Sequence, residues 1–366
     1  MGVLSGLRVV EMAGLGPAPF CAMLLADHGA EVVRVVRPRQ SSPLPIAAHF
    51  DLLNRNRTTV ELDLRQEEDR EQLRRLIAGA DALIEGFRPG VMEKLGFGPD
   101  EALALNPRLV FGRMTGWGQD GPWSQMAGHD LNYAGLSGAI AAMGSPDQPP
   151  MPPLNLVADF GGGAMMLAFG LLAALLEAQR SGQGQVVDAA MVDGSALLMS
   201  MMHGMRAGGA WSLNRADNLL DGGAPFYRCY ATADGKFLAV CPLEPQFYGV
   251  MLKRLGLSDD PDFAAQYDRA SWPRMGERLT ALIASQSRAH WEEVFTGSDA
   301  CVTPILDMDE APAAPHNQAR GSFVTVNGIP QAAPAPRFSR TPAAEPQAVA
   351  VGTDDIVDIL TRWSKS

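Results

Sequence analysis

The stretch Leu7-Arg8-Val9-Val10-Glu11-Met12, followed by the turn Ala13-Gly14-Leu15-Gly16-Pro17-Ala18, decides the fold. An apolar run bounded by Gly and Pro reads as a buried strand. A helix follows over about residues 19–28, because Pro19 suits a first helical turn and Gly29 a position just past a helix end. Residues 31–36, Glu-Val-Val-Arg-Val-Val, form a second strand. Two strands joined through a helix imply parallel pairing, since parallel neighbours need a crossover. The alternation continues outward with a helix over 66–78, strands over 82–85 and 109–114, a long helix over 162–181 and a strand over 185–190. This pattern predicts an α/β protein whose large domain is Rossmann-like, doubly wound around a parallel sheet.

The texture changes near Asp193. A Met-rich helix carries Met199, Met201, Met202 and Met205, and a Gly/Asn-rich linker follows over 208–223. Asp234-Gly235 between two apolar runs is a hairpin signal. Helices over 246–255, 274–287 and 290–296 complete a smaller α+β domain. The expected division is a large domain over 1–192 with a C-terminal return over 335–366, a Met-rich helix and linker over 193–222, the small domain over 223–318, and a linker over 319–334. The amphipathic segment 354–363 is expected to pack back on the protein.

With 46% hydrophobic and 19% charged residues, the chain reads as an ordinary globular protein. A formal charge of -11 argues against nucleic acid, whose phosphates need a basic face. Four cysteines without a CxxC pair read as reduced thiols. The apolar stretch over 164–176 is too short to cross a bilayer and reads as a buried helix, so no membrane insertion is expected. The absence of a signal segment points to the cytoplasm.

The turn Gly14-Leu15-Gly16-Pro17-Ala18-Pro19 resembles a dinucleotide fingerprint, but Pro19 replaces its third glycine. The second strand ends in Arg37-Pro38-Arg39 instead of an acidic residue for a ribose diol. Guanidinium groups suit a phosphate or a stacked adenine, which disfavours NAD and leaves NADP or coenzyme A. Arg55-Asn56-Arg57, and Arg88 with Lys94, are further basic clusters beside strands, favouring an anionic nucleotide ligand. His129, in Gly128-His129-Asp130-Leu131-Asn132-Tyr133, is the one histidine in a Gly-flanked polar loop. Asp159 stands before Gly161-Gly162-Gly163, which suits either a helix cap or close approach of a ligand to helix amides. Glu244 precedes Pro245 at a helix start. One imidazole and two carboxylates suggest proton transfer if they converge.

Gly116-Trp117-Gly118-Gln119-Asp120-Gly121-Pro122, taken with the His129 motif, resembles the family III coenzyme A transferase superfamily. Asn155-Leu156-Val157-Ala158-Asp159-Phe160-Gly161-Gly162-Gly163 and Glu244-Pro245-Gln246-Phe247-Tyr248 resemble its α-methylacyl-CoA racemase family. The resemblance implies a Rossmann-like large domain, a small α+β domain and an interlocked homodimer. It implies interconversion of 2-methylacyl-CoA thioesters by proton transfer at C2, with no separate cofactor or metal, coenzyme A being part of the substrate. His129, oriented by Glu244 of the other subunit, would be one base and Asp159 the other. The Asp130 backbone amide would hold the enolate oxygen, its side chain capping its own helix. Arg37 would lie near the adenine, Arg55, Arg88 and Lys94 near phosphates, and the acyl chain along the Met-rich surface. The alternatives are a CoA transferase with Asp159 as nucleophile, an acyl-CoA-binding protein without catalysis, and an NADP oxidoreductase.

Overall fold

A computed structural model describes residues 2–38 and 46–364. Its elements begin with β1 (Arg8–Met12), α1 (Pro17–Asp27), β2 (Glu31–Val36), β3 (Thr58–Glu61), α2 (Glu67–Gly79), β4 (Ala82–Glu85), α3 (Val91–Lys94), α4 (Pro99–Leu105) and β5 (Val110–Thr115). Then come α5 (Asp130–Leu136), a π-helix (Leu156–Ala164), α6 (Met165–Ser181), β6 (Gln185–Ala190), α7 (Met191–Leu198) and α8 (Ser200–Ala207). The remainder are β7 (Arg228–Ala231), β8 (Phe237–Val240), α9 (Pro245–Leu255), α10 (Trp272–Ile283), α11 (Arg288–Phe295), β9 (Val302–Ile305), α12 (Pro315–Arg320), β10 (Phe323–Val326), β11 (Ile329–Ala332) and α13 (Ile356–Ser364). Two compact units result: Met1–Ala139, Pro153–Met199 and Ala319–Ser366 form the first, Ile140–Pro152 and Ser200–Gln318 the second.

The first unit holds a six-stranded sheet in the order β3-β2-β1-β4-β5-β6, parallel throughout. Strand order reverses between β1 and β4, and open α/β sheets bind ligands beyond the carboxyl ends of strands at such a switch point. On one face, α2 contributes Leu73, Leu76 and Ile77 to a core with Phe97 and Phe111. Ile359, Leu360 and Trp363 of α13 join that core.

Residues 319–334 are not a linker. They form a β10–β11 hairpin, with Val326 opposite Ile329 and Asn327-Gly328 in the left-handed backbone its turn requires. The long helix also starts earlier than expected. Phe160 donates its amide to Asn155 five residues back, so the chain is already helical before the three glycines and continues into α6. From Leu156 to Ser181 this makes 26 residues, long and apolar enough to cross a membrane, where the 164–176 stretch alone is not. One side of α6 packs on the sheet through Leu167 and Leu171, while Met165, Phe169, Leu172 and Leu176 are exposed on another.

The second unit is α+β as expected. Its antiparallel sheet runs β7-β8-β9, and Asp234-Gly235 makes the predicted hairpin turn. Phe226, Tyr230, Met251, Trp272, Leu279 and Trp291 form its core. The Met-rich segment is two helices, α7 and α8, which part at Met199 and belong to different units. Met201 on α8 is exposed. Within the Gly/Asn-rich stretch, Asn218 is buried and donates to the Ser212 and Asn214 carbonyls and to Asp221. That stretch is therefore an ordered loop.

Candidate active site

His129 is the residue immediately before α5, in extended backbone, so its ring leaves the helix instead of continuing it. Its amide donates to Asn132 Oδ1 at 3.0 Å, which closes the first turn of α5. Asp130 begins the helix, and its amide is one of those that a helix start leaves without an intrahelical partner.

The Asp130 side chain does not cap α5, contrary to expectation. Its Oδ1 accepts from the amides of Ala158 (2.9 Å) and Asp159 (2.8 Å), in the first turn of the π-helix. Those amides are orphaned by the same end effect, and a carboxylate from 28 residues upstream satisfies both. Asp130 Oδ2 is buried and accepts no hydrogen bond.

Asp159 sits inside the π-helix, not at a helix cap. Asn155 Nδ2 donates to its Oδ2 at 3.3 Å. The glycines after it do not admit a ligand, because they let α7 cross closely. A Cβ at Gly162 would lie 2.6 Å from the Ser195 amide nitrogen, and one at Gly194 would lie 1.8 Å from the Gly162 carbonyl oxygen. Burial pushes the Asp159 carboxyl above the ordinary carboxylate range. The Asn155 hydrogen bond opposes this rise, the Asp130 charge reinforces it, and the His129 imidazole opposes it.

His129, Asp130 and Asp159 line one cavity of about 630 Å³, together with Gly16, Arg37, Phe87, Arg88, Trp117, Tyr133 and Met191. The structure therefore brings together two of the three predicted acid-base groups. Tyr133 and Trp117 form an edge-to-face pair, ring centroids 4.7 Å apart, on one wall. Burial raises the Tyr133 phenol, the Asp159 charge adds to the rise, and Arg88 opposes it. Gly16 presents backbone to Asp159: a Cβ there would come within 2.9 Å of Oδ2. Sequence reasoning assigned no role to Tyr133 or Asn155, and it gave the Asp130 carboxylate its own helix end, where the structure gives it the amides of Ala158 and Asp159.

A second cavity of about 760 Å³ opens beside the ends of β1, β2 and β3, lined by Met12, Val36, Arg37, Leu64, Arg65 and Phe87 among others. Arg37 borders both cavities. Glu85 steadies the loop after β4: its Oε2 accepts the Phe87 amide at 2.7 Å and its Oε1 accepts Arg113 Nε at 2.9 Å. Burial pushes Glu85 up to about 7, against the pull of both donors.

The other predicted basic residues divide. Arg88 lines the cavity shared by His129 and Asp159, whereas Lys94 is exposed at the end of α3 and lines neither cavity. Arg55 is not a ligand residue. Its guanidinium is buried, donating to Asp27 Oδ1 (3.0 Å) and Oδ2 (2.6 Å), to Gln331 Oε1 (2.8 Å) and to the Ala332 carbonyl (2.9 Å). It ties α1 to the β10–β11 hairpin. Arg57 is likewise enclosed, paired with Glu11. Arg39 lies outside the described residues. Glu244 precedes α9 in the second unit, at the expected cap position and exposed, without a capping hydrogen bond from its side chain. Among the described residues, no group of three or more His, Cys, Asp or Glu is placed to hold a metal ion.

A family model for CoA-transferase family III matches residues 4–354. The chain is 48% identical to alpha-methylacyl-CoA racemase of Mus musculus over 93% of its length and 88% of the relative's. It is 45% identical to alpha-methylacyl-CoA racemase of Homo sapiens, covering 93% and 87%. The crystal structure of a CaiB/BaiF family protein from Brucella suis superposes with a TM-score of 0.82, at 26% identity over 99% of both chains.

Proposed function

The chain belongs to CoA-transferase family III, and from that premise we propose that it is an isomerase that interconverts (R)- and (S)-2-methylacyl-CoA thioesters. The observation that carries the reading is the meeting of His129 and Asp159 on one cavity, each at the start of a separate helical element. Inversion at C2 needs a proton removed from one face and returned to the other. Two groups of differing proton affinity supply this, each alternating between base and acid. For the direction in which Asp159 abstracts the proton, its carboxyl must be ionised. Burial supports this role, because a raised proton affinity makes the carboxylate a stronger base.

As the proton leaves, charge passes to the thioester oxygen. The Asp130 amide is assigned to that oxygen as an oxyanion donor. The coenzyme A portion is assigned to the cavity bordered by Arg37, where apolar Val36, Leu64 and Phe87 suit an adenine face. Arg88 is assigned to a phosphate or to the pantetheine path into the catalytic cavity. Glu244 is assigned, in a homodimer, to the His129 imidazole of a second copy. What supports a dimer is the apolar stripe of Met165, Phe169, Leu172 and Leu176, which the isolated chain leaves exposed.

The test is C2 proton exchange of each 2-methylacyl-CoA enantiomer in D2O without an acyl acceptor. Deuterium incorporation with epimerisation is expected. Absence of exchange, with acyl transfer once a free carboxylic acid is supplied, would overturn the racemase and make Asp159 a nucleophile.

A further inference from the structure

The Asp130 carboxylate is placed to do more than satisfy a helix end. Its own backbone is continuous with His129, while its Oδ1 holds the amides of Ala158 and Asp159. The residue thus bridges the two segments that carry the acid-base pair. No other hydrogen bond between side chain and backbone joins these segments among the described residues. We propose that the Asp130 side chain is a positioning residue that fixes the Asp159 carboxylate relative to His129 by gripping the turn on which Asp159 rides. The inference rests on the acid-base reading of Asp159 given above.

Two features set Asp130 apart from an ordinary cap. The turn it grips is π-helical, a rare geometry that is frequent at functional sites. Its second oxygen, Oδ2, stays buried and without a donor, so a negative charge is kept beside Asp159 with only half its hydrogen-bonding capacity used. A neutral side chain could supply the one acceptor oxygen that is used. The charge acts on Asp159 in the same sense as burial, favouring its protonated form.

Facing the Asp159 carboxyl are Asn155 from its own turn and His129, Asp130 and Tyr133 from α5 and its cap, with Arg88 acting on Tyr133. The α1 and α7 sides bring Gly16 and Met191, which carry no charge. Removing the Asp130 charge therefore subtracts a term that raises Asp159, and the carboxyl ionises at lower pH. The rate that depends on ionised Asp159 then rises through a lower pH than in the parent protein.

The experiment compares the parent, Asp130→Asn and Asp130→Ala in C2 deuterium exchange of both enantiomers across pH. The Ala variant loses both anchoring bonds, and kcat is expected to fall about 100-fold, the order of effect of an ångström of misplacement. KM for the thioester should stay within about threefold, since the coenzyme A cavity is untouched. The Asn variant keeps an acceptor oxygen, so it should recover at least about tenfold in kcat over Ala while its acidic limb moves to lower pH. Parent-like kcat in Asp130→Ala, equal loss in both variants, or an unmoved acidic limb in Asp130→Asn would each overturn the proposal. If the Ala variant does not fold, the limb of Asp130→Asn decides alone. If the parent exchanges neither enantiomer, the racemase reading fails separately. Acyl transfer by the same three proteins then tests the positioning, because a displaced Asp159 would be impaired equally as a nucleophile.

Discussion

Replacing Arg55 with Ala separates a structural from a ligand-binding arginine. The Arg55 side chain is 5% exposed and that of Asp27 is 2% exposed, so the pair is held away from water. Truncation removes four hydrogen bonds and leaves the Asp27 carboxylate with only the Asn56 amide at 2.7 Å. Removing one partner of a buried ion pair typically costs about 3–5 kcal/mol, because the other charge stays buried without compensation. The buried Gln331 side chain and the Ala332 carbonyl lose their donor as well, which favours the upper part of that range. Urea unfolding should show the loss as a lower midpoint with an unchanged slope. KM for the acyl-CoA should remain within about twofold, since a uniform binding contribution would appear there. Paired replacement, Arg55→Met with Asp27→Leu, should recover much of the stability, since no lone charge remains. A tenfold rise in KM at an unchanged midpoint, on the order of 1.4 kcal/mol of binding, would refute this reasoning and return Arg55 to the ligand.

Gly16→Ala places a methyl group 2.9 Å from Asp159 Oδ2 on a backbone at φ 68. It should cost about 1–2 kcal/mol in folding and lower kcat about 10- to 100-fold, and parent-like kcat in a steady-state assay would exclude this contact. Phe169, 71% exposed on the α6 stripe, tests the proposed dimer. Phe169→Glu should shift the protein to monomer in gel filtration with light scattering and lower activity alongside, whereas an intact dimer would place the interface elsewhere.

The sheet was legible because its strands are apolar runs separated by Gly and Pro, and β1, α1 and β2 fall within two residues of the pattern read from Leu7 onward. The π-helix was not, because Gly161-Gly162-Gly163 resembles a break unless the crossing of α7 at Gly194 is known. The β10–β11 hairpin is a different case. Asn327-Gly328 carries a strong local turn signal, but the Pro/Ala-rich residues after it suggested a linker. At the site, His129 and Asp159 could be singled out by loop context and resemblance. The carboxylate between them could not, since nothing local indicates that Asp130 reaches across 28 residues. Arg55 failed for a related reason: a basic residue beside a strand signals an anion, and only the fold reveals that the anion is Asp27.

The C-terminal helix has a consequence for synthesis. The face of α2 formed by Leu73, Leu76 and Ile77 is emerging early from the ribosome, yet Ile359, Leu360 and Trp363 that share its core are made near the end. At about 5–20 residues per second, β6 is finished on the order of 10–30 s before α13 exists. For that interval the core on α2 lacks Ile359, Leu360 and Trp363, and for most of it Arg55 lacks Gln331 and Ala332. The core on α2 is thus completed only once α13 has been made.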